Sequence, residues 1–174
     1  METTIVNFFY SLSFGQPVVT FLVVFFAVVL IWLMCLVYIF LVVRRKTGII
    51  SDLMSGLWGA GLFYGILSAI NFFWFRPRPF VSLDFSPLVN MSPLSSSFPS
   101  GHAGLAWLLA YLLAKHQPKL GWLFYILASV VALARVAAGV HYFSDIIGGA
   151  VLGLLSGQIA WLIKEKIDKF NNKK

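Results

Sequence analysis

Long apolar runs are the feature that most constrains this chain, because about 20 consecutive apolar residues are enough to cross a bilayer as a helix. Five such runs, the third of them shorter than the others, cover residues 17–43, 53–75, 101–114, 120–138 and 142–163. We therefore predict an all-α fold. It is a polytopic membrane helical bundle of five spans, and residues 1–174 form a single integral-membrane domain.

Composition supports this fold class and excludes others. Of the 174 residues, 60% are hydrophobic and only 11% are charged, whereas about 25% of the residues in a soluble domain are charged. The chain is too apolar for a soluble globular domain or a disordered protein. No polar linker divides it into two modules.

The net charge of +7 indicates a membrane surface rather than a nucleic acid partner, because most lysines lie at the ends of the apolar runs or in the tail. Basic residues favour the cytoplasmic ends of membrane spans. The clusters are Arg44–Lys46, Lys115 with Lys119, and the basic tail of residues 164–174. We predict a multi-pass cell-membrane protein with these clusters and the C-terminus in the cytoplasm.

The same topology places three segments on the extracytoplasmic side. They are the N-terminus with an interfacial segment at residues 1–16, the loop 76–100, and the turn 139–141. A loop as long as 76–100 is usually functional. We therefore expect an active site at the extracytoplasmic interface.

Six charged or titratable residues lie at the predicted outer ends of the spans, although the topology was derived without them. They are Arg76, Arg78, His102, Arg135, His141 and Asp145. Ionisable groups at membrane depth are costly and usually functional. Considered separately, an arginine such as Arg76 is often an interfacial anchor. Asp145 and Arg135, considered without the others, could form a structural ion pair. Six such residues at one depth favour a site.

His141 and Asp145 are four residues apart, which places them on one face if they share a helix. A carboxylate that holds one ring N–H of an imidazole leaves the other nitrogen free and basic. The pair therefore predicts a histidine nucleophile.

Pro99-Ser100-Gly101-His102 precedes the third apolar run, so Ser100 takes the position of a helix N-cap. Backbone N–H groups of a first helical turn attract anions, and Gly101 allows an anion to approach the backbone closely. His102 lies in the same turn, where it can protonate a leaving oxygen.

The arginines complete a site for phosphoryl transfer. Arg76-Pro77-Arg78-Pro79 supplies guanidinium groups on a stiffened strand, and guanidinium binds phosphate oxygens in pairs. Phosphoryl transfer depends largely on positioning and charge stabilisation. Because the sequence offers no carboxylate cluster for Mg²⁺ or Ca²⁺, we expect no metal site and no cofactor.

These motifs resemble those of the type 2 phosphatidic acid phosphatase family, which is related to vanadium haloperoxidases. The family pattern is Lys-x6-Arg-Pro, Pro-Ser-Gly-His, and Ser-Arg-x5-His-x3-Asp. Arg78-Pro79, Pro99–His102, and Arg135 with His141 and Asp145 match it. Two positions depart from it, since Asn71 stands at the lysine position and Ala134 at the serine position.

The resemblance implies a role for each residue of the motifs. His141 attacks phosphorus and forms a phosphohistidine, Asp145 orients His141, and His102 protonates the leaving group and then activates water. Phosphate oxygens are held by Arg78, Arg135, Ser100 and Gly101. At the position that departs from the family, we expect Asn71 to hydrogen-bond phosphate without a charge and Arg76 to compensate as a cation.

Family members act on lipid phosphates at the membrane surface. The chain looks most like bacterial undecaprenyl-diphosphate phosphatases of this family, which implies release of the terminal phosphate of undecaprenyl diphosphate. Phosphatidylglycerophosphate and phosphatidic acid remain alternative substrates. A catalytically degenerate anion-binding membrane protein is the alternative of another class, favoured by Asn71 and Ala134. The sequence leaves the oligomeric state open.

Overall fold

The structure, a computed structural model, describes residues 1–45 and 48–171. Within those ranges it is all helical, as predicted. Lys46, Lys173 and Lys174 of the predicted basic clusters lie outside the described residues. The helices are α1 (Glu2–Ser13), α2 (Pro17–Val24), α3 (Leu30–Arg44), α4 (Ile49–Phe73), α5 (Pro79–Ser82), α6 (Gly101–His116), α7 (Pro118–Ala137) and α8 (Phe143–Asn171), with a π-helical segment at Phe25–Val29 between α2 and α3.

Four helical stretches of the described chain are long and apolar enough to cross a membrane. They are Pro17–Arg44, Ile49–Phe73, Pro118–Ala137 and Phe143–Asn171. Each begins or ends within a few residues of a predicted span, except that α8 continues to Asn171. Residues 164–171 therefore extend the last helix, where the sequence predicted a separate tail.

The fifth predicted span is α6, which has only 16 residues. At about 1.5 Å per residue it is about 24 Å long, which is less than the roughly 30 Å of a hydrocarbon core. Eight of its residues are buried, and it packs against α3, α4, α7 and α8. This helix is therefore the centre of the bundle, and protein surrounds much of its surface.

Glycines bring α6 and α8 unusually close together. A Cβ atom on Gly153 would overlap the backbone carbonyl of Gly104, and a Cβ atom on Gly149 would overlap that of Ser100. Small residues at such crossings let membrane helices approach closely. The contact sets the first turn of α6 beside the first turn of α8, and the Ser100 N–H donates to the Asp145 carbonyl at 3.0 Å.

The N-terminal segment, predicted to be interfacial, forms α1 and packs against α7 and α8. Val6 is fully buried and lies in one apolar cluster with Val136, Tyr142 and Ile146. The hydrophobic effect thus fixes α1 on the bundle.

At the end of the bundle away from the 76–100 loop, the buried carboxylate of Asp52 joins three elements. Asp52 Oδ2 lies 2.7 Å from Arg45 Nη1. Asp52 Oδ1 lies 3.0 Å from His116 Nε2 and 3.1 Å from Lys164 Nζ. Through Asp52, the α3–α4 connection, the end of α6 and the last third of α8 share one ion network.

We expect Asp52→Asn to lower the melting temperature in detergent. The change removes the anion and leaves Arg45 and Lys164 close together, and loss of one partner of a buried ion pair costs about 3–5 kcal/mol. A thermal unfolding scan measures the effect. Asp84→Asn is the matched control, because Asp84 is exposed in a loop and has a positive φ of 52°, which asparagine tolerates. Equal melting temperatures for the two variants would contradict a stabilising role for the network.

Candidate active site

The motifs that are separated in sequence meet at one end of the bundle. Arg78 ends the extended segment before α5, Ser100 precedes α6, Arg135 lies in the last turn of α7, and His141 lies in the turn before α8. Gly139 makes this turn possible, since its φ is +75° and a Cβ atom there would overlap the Phe85 ring. The close packing of α6 and α8 then places Ser100 next to the turn.

His141 is held as a neutral imidazole with a free nitrogen. Its Nδ1 lies 2.8 Å from the Ser97 carbonyl oxygen. Because a carbonyl only accepts, Nδ1 carries the proton and Nε2 keeps its lone pair. The side chain is buried, and burial lowers the pKa of His141 to about 4. At neutral pH the ring is thus uncharged, as a nucleophile requires.

Asp145 contacts His141 less directly than the spacing predicted. His141 precedes the first residue of α8, so the two residues do not share a helix. Asp145 Oδ2 lies 3.6 Å from His141 Nδ1, beyond a hydrogen bond, and it accepts from the Tyr142 backbone N–H at 2.7 Å. Asp145 therefore holds the backbone next to His141, and the ring N–H is held by Ser97.

The Ser97 carbonyl is the functional group that sequence reasoning missed. Any residue at position 97 supplies the same carbonyl, so no residue type signals it. Only the path of the 76–100 loop, which also pairs the Ser97 N–H with the Arg76 carbonyl at 2.9 Å, brings it to His141.

Arg78 is fixed beside the free nitrogen of His141. Arg78 Nη1 lies 3.4 Å from His141 Nε2 and donates to the Val140 carbonyl at 2.9 Å. Arg78 Nη2 donates to the Ser96 carbonyl at 2.9 Å, and Nε donates to Ser95 Oγ at 2.9 Å. Burial lowers the pKa of Arg78 to about 10, so the guanidinium remains charged at neutral pH.

Arg135 and Ser100 are buried with unsatisfied polar atoms. Arg135 is 1% exposed and Ser100 is fully buried. Arg135 Nη1 donates to the Ala27 carbonyl in the π-helical segment at 3.2 Å. Arg135 Nε, Arg135 Nη2 and Ser100 Oγ have no hydrogen-bond partner among the described residues. Buried polar groups are nearly always paired, so these atoms are the ones that the oxygens of an anion would satisfy.

His102 lies in the first turn of α6, beside these groups. It is within electrostatic range of Arg135, His141 and Arg78. The first-turn N–H groups of a helix lack intrahelical partners. Gly101 and His102 therefore add backbone donors to the cationic side chains, and His102 adds an imidazole.

Arg76 and Asn71, both predicted to bind phosphate, have other positions. Arg76 pairs with two carboxylates, those of Glu2 and Asp145, each at 2.6 Å. Because this guanidinium is already paired with two carboxylates, its role as a phosphate ligand stays a prediction that these contacts do not favour. Asn71 lies on α4, one turn beyond Leu67, which approaches Gly101. Asn71 Oδ1 is buried and has no hydrogen-bond partner in the described chain, Arg78 and Arg135 included.

The arrangement is suited to a tetrahedral oxyanion next to an imidazole. Arg78 Nη1 lies 3.4 Å from His141 Nε2, and the guanidinium groups of Arg78 and Arg135 are both buried. Together with the apolar helices, these features describe a helical membrane protein with a candidate anion site at one end of its bundle.

Comparison with known proteins assigns the family. The chain belongs to the PAP2 superfamily, whose family model matches residues 51–169. This confirms the resemblance inferred from the three motifs. The matched segment begins in α4 and includes Asn71, Arg78, His102, Arg135, His141 and Asp145.

Several relatives share this region. Phosphatidylglycerophosphatase B of Bacillus subtilis is 43% identical over 109 residues, covering 56% of this chain and 51% of the relative. Undecaprenyl-diphosphatase BcrC of the same organism is 29% identical over 119 residues, covering 68% and 60%. The chain thus spans about half to three fifths of the length of these relatives.

A solved structure extends the likeness to almost the whole chain. The crystal structure of a transmembrane PAP2-type phosphatidylglycerolphosphate phosphatase from Bacillus subtilis is similar, with a TM-score of 0.70 and 29% identity. The match covers 95% of this chain and 85% of that chain. The shared fold therefore extends well beyond the segment that the family model matches.

Proposed function

We propose that this protein is a membrane lipid phosphatase that hydrolyses a terminal phosphate through a phosphohistidine intermediate. One observation carries the proposal. The free Nε2 of a buried, neutral His141 is next to Arg78, and the unpaired donors of Arg135 and Ser100 are buried in the same site.

The chemistry needs two displacements at phosphorus. The Nε2 lone pair of neutral His141 forms the P–N bond, and the P–O bond between the terminal phosphate and the rest of the lipid breaks. His102, which enters the step as the imidazolium, gives its proton to the leaving oxygen and becomes neutral. A water molecule then loses a proton to His102 and attacks phosphorus. The P–N bond breaks, inorganic phosphate leaves, and both histidines return to their starting states.

Arg78, Arg135, Ser100 and the α6 first turn hold the three equatorial oxygens throughout. Their donors are fixed by the fold before substrate arrives, because Arg78 is bound by four loop groups. Donors preorganised in this way stabilise the charge that develops in the transition state. Since guanidinium groups supply this charge, we propose chemistry that is independent of metal ions.

The charge distribution supports an extracytoplasmic site. Arg45, Lys115 and Lys164 lie at the α3, α6 and α8 ends away from His141. By the positive-inside rule, we propose that this end faces the cytoplasm. A lipid headgroup then reaches the site from the outer interface while its tails stay in the bilayer. We propose that residues 1–174 form a single domain that contains the whole site.

We propose undecaprenyl diphosphate as the substrate, with undecaprenyl phosphate and inorganic phosphate as products. The motifs of the sequence and the relative named undecaprenyl-diphosphatase support this choice. Phosphatidylglycerophosphate is the second candidate, favoured by the 43% identity to phosphatidylglycerophosphatase B. A degenerate, non-catalytic anion binder is the competing proposal of another class.

Phosphate release from purified full-length protein in detergent tests these choices. The panel holds undecaprenyl diphosphate, phosphatidylglycerophosphate and phosphatidic acid, each with and without EDTA. We expect the highest kcat/KM with undecaprenyl diphosphate, and rates that EDTA changes less than about twofold, because arginines replace metal ions as charge stabilisers. A preference for phosphatidylglycerophosphate would favour the second candidate. Activity lost in EDTA and restored by Mg²⁺ would disprove metal independence.

A further inference from the structure

We propose that Glu2, on the N-terminal helix α1, is a positioning residue for the reaction at His141, acting through Arg76 and Asp145. This inference rests on the proposed phosphatase function. It assigns a task to the α1 segment and to Arg76, whose guanidinium is paired with two carboxylates.

The carboxylate of Glu2 makes two contacts near the start of α8. Glu2 Oε2 accepts from Arg76 Nη2 at 2.6 Å, and Oε1 accepts from the Ser144 backbone N–H at 3.1 Å. The hydrogen bonds from Ser144 and then from Arg76 lower the pKa of Glu2, which keeps it ionised at neutral pH. Glu2 thus caps α8 from a different helix, and a negative charge is favourable at a helix N-terminus.

Arg76 connects this carboxylate to Asp145. Arg76 Nη1 donates to Asp145 Oδ1 at 2.6 Å and to Ser144 Oγ at 2.6 Å. Its guanidinium also lies over the Tyr142 ring, 4.3 Å from the centroid. Asp145 is fully buried, and a buried carboxylate needs such a paired cation. The two carboxylates therefore fix Arg76 from opposite sides.

Asp145 passes this constraint to His141. Its second oxygen holds the Tyr142 N–H at 2.7 Å and lies 3.6 Å from His141 Nδ1. If Glu2 no longer holds Arg76, the guanidinium can turn away and Asp145 can follow it. The peptide after His141 then loses its fixed orientation, and Nε2 loses its alignment with phosphorus.

α1 is packed firmly enough on the bundle to keep Glu2 in position. Val6 is fully buried, the Tyr10 hydroxyl donates to the Ser86 carbonyl at 2.7 Å, and the Tyr10 ring packs on Phe85 with centroids 4.3 Å apart. Phe85 in turn covers Gly139 in the turn that carries His141. Glu2 is therefore held by a packed helix rather than by a free end.

Glu2, Arg76 and Tyr142 also line an open cavity of about 510 Å³. A residue there could instead touch the substrate headgroup. The two roles differ in kinetics, because a positioning residue affects the transition state and lowers kcat, whereas a substrate contact raises KM.

The test compares Glu2→Gln and Glu2→Ala in the full-length protein. Phosphate release from undecaprenyl diphosphate and from phosphatidylglycerophosphate is measured, and Asn7→Ala is the matched control on an exposed position of α1. We expect kcat to fall about tenfold, as for outer partners that orient a functional histidine, with KM within about twofold. Glu2→Gln keeps an acceptor for Ser144, so it should retain more activity than Glu2→Ala. Asn7→Ala should match the wild type.

A double-mutant cycle with Arg76→Gln tests whether Glu2 acts through Arg76. If Glu2 acts through Arg76, Glu2→Gln has no further effect on kcat in the Arg76→Gln background. Independent effects, an unchanged kcat, or a raised KM with unchanged kcat would each overturn the inference while the wild type stays active. An inactive wild type would overturn the proposed function and this inference together.

Discussion

His141→Ala is expected to abolish phosphate release while the protein remains folded. The variant removes the only proposed nucleophile, and loss of a nucleophile typically costs on the order of 10⁴-fold or more in kcat. Since the His141 ring donates to the Ser97 carbonyl in a loop and His141 itself lies in a turn, we expect its removal to leave the helices intact. Phosphate release measured over hours, with a melting scan of the same sample, checks both parts.

His116→Ala is the matched control for this experiment. His116 lies at the other end of α6 and pairs with Asp52, so its replacement should leave phosphate release near the wild-type rate. A phosphorylated intermediate trapped by acid quench should appear in the wild type and be absent in His141→Ala. Normal turnover by His141→Ala would refute the assignment of the nucleophile.

Arg135→Met is expected to lose activity and gain stability. Removing one preorganised oxyanion donor costs about 10²–10³-fold in kcat. Arg135 is 1% exposed, and two of its nitrogens have no partner in the described chain. A buried cation in this state is costly, and Arg78 lies near enough to repel it. An apolar side chain of similar length removes the charge without leaving a large cavity.

Melting temperatures with and without inorganic phosphate separate the two effects. Without phosphate, Arg135→Met should melt above the wild type. Phosphate should then raise the melting temperature of the wild type more than that of the variant, because a ligand stabilises the state that binds it. Arg44→Met is the control, since Arg44 is exposed near the other end of the bundle. A less stable Arg135→Met that keeps the full response to phosphate would contradict the assignment.

The fold could be predicted from sequence because a membrane restricts the choices. Long apolar runs in lipid form helices, and their limits are marked by prolines and charges, as at Pro17 and Pro118. The exception is α6. Apolar residues alone do not show whether a short run faces lipid or protein, so its central, buried position appears only in the structure.

The candidate site could be predicted as a set of residues but not as a set of contacts. Arg78, Ser100, Arg135 and His141 converge as their motifs indicated. The acceptor for His141 is a backbone carbonyl, and Arg76 pairs with Glu2, from a segment with no motif at all. Contacts of these kinds depend on the path of the loop and the packing of α1.

Apolar helices and the motifs of a phosphatase family could be recognised in the chain alone, because hydropathy and residue chemistry are local properties. The contacts that each site residue makes are seen only in the folded bundle. The glycine contact between α6 and α8 sets their separation, and that separation decides how Ser100, Asp145 and His141 meet. Distances of this kind follow from packing between segments far apart in the chain, which no local pattern records.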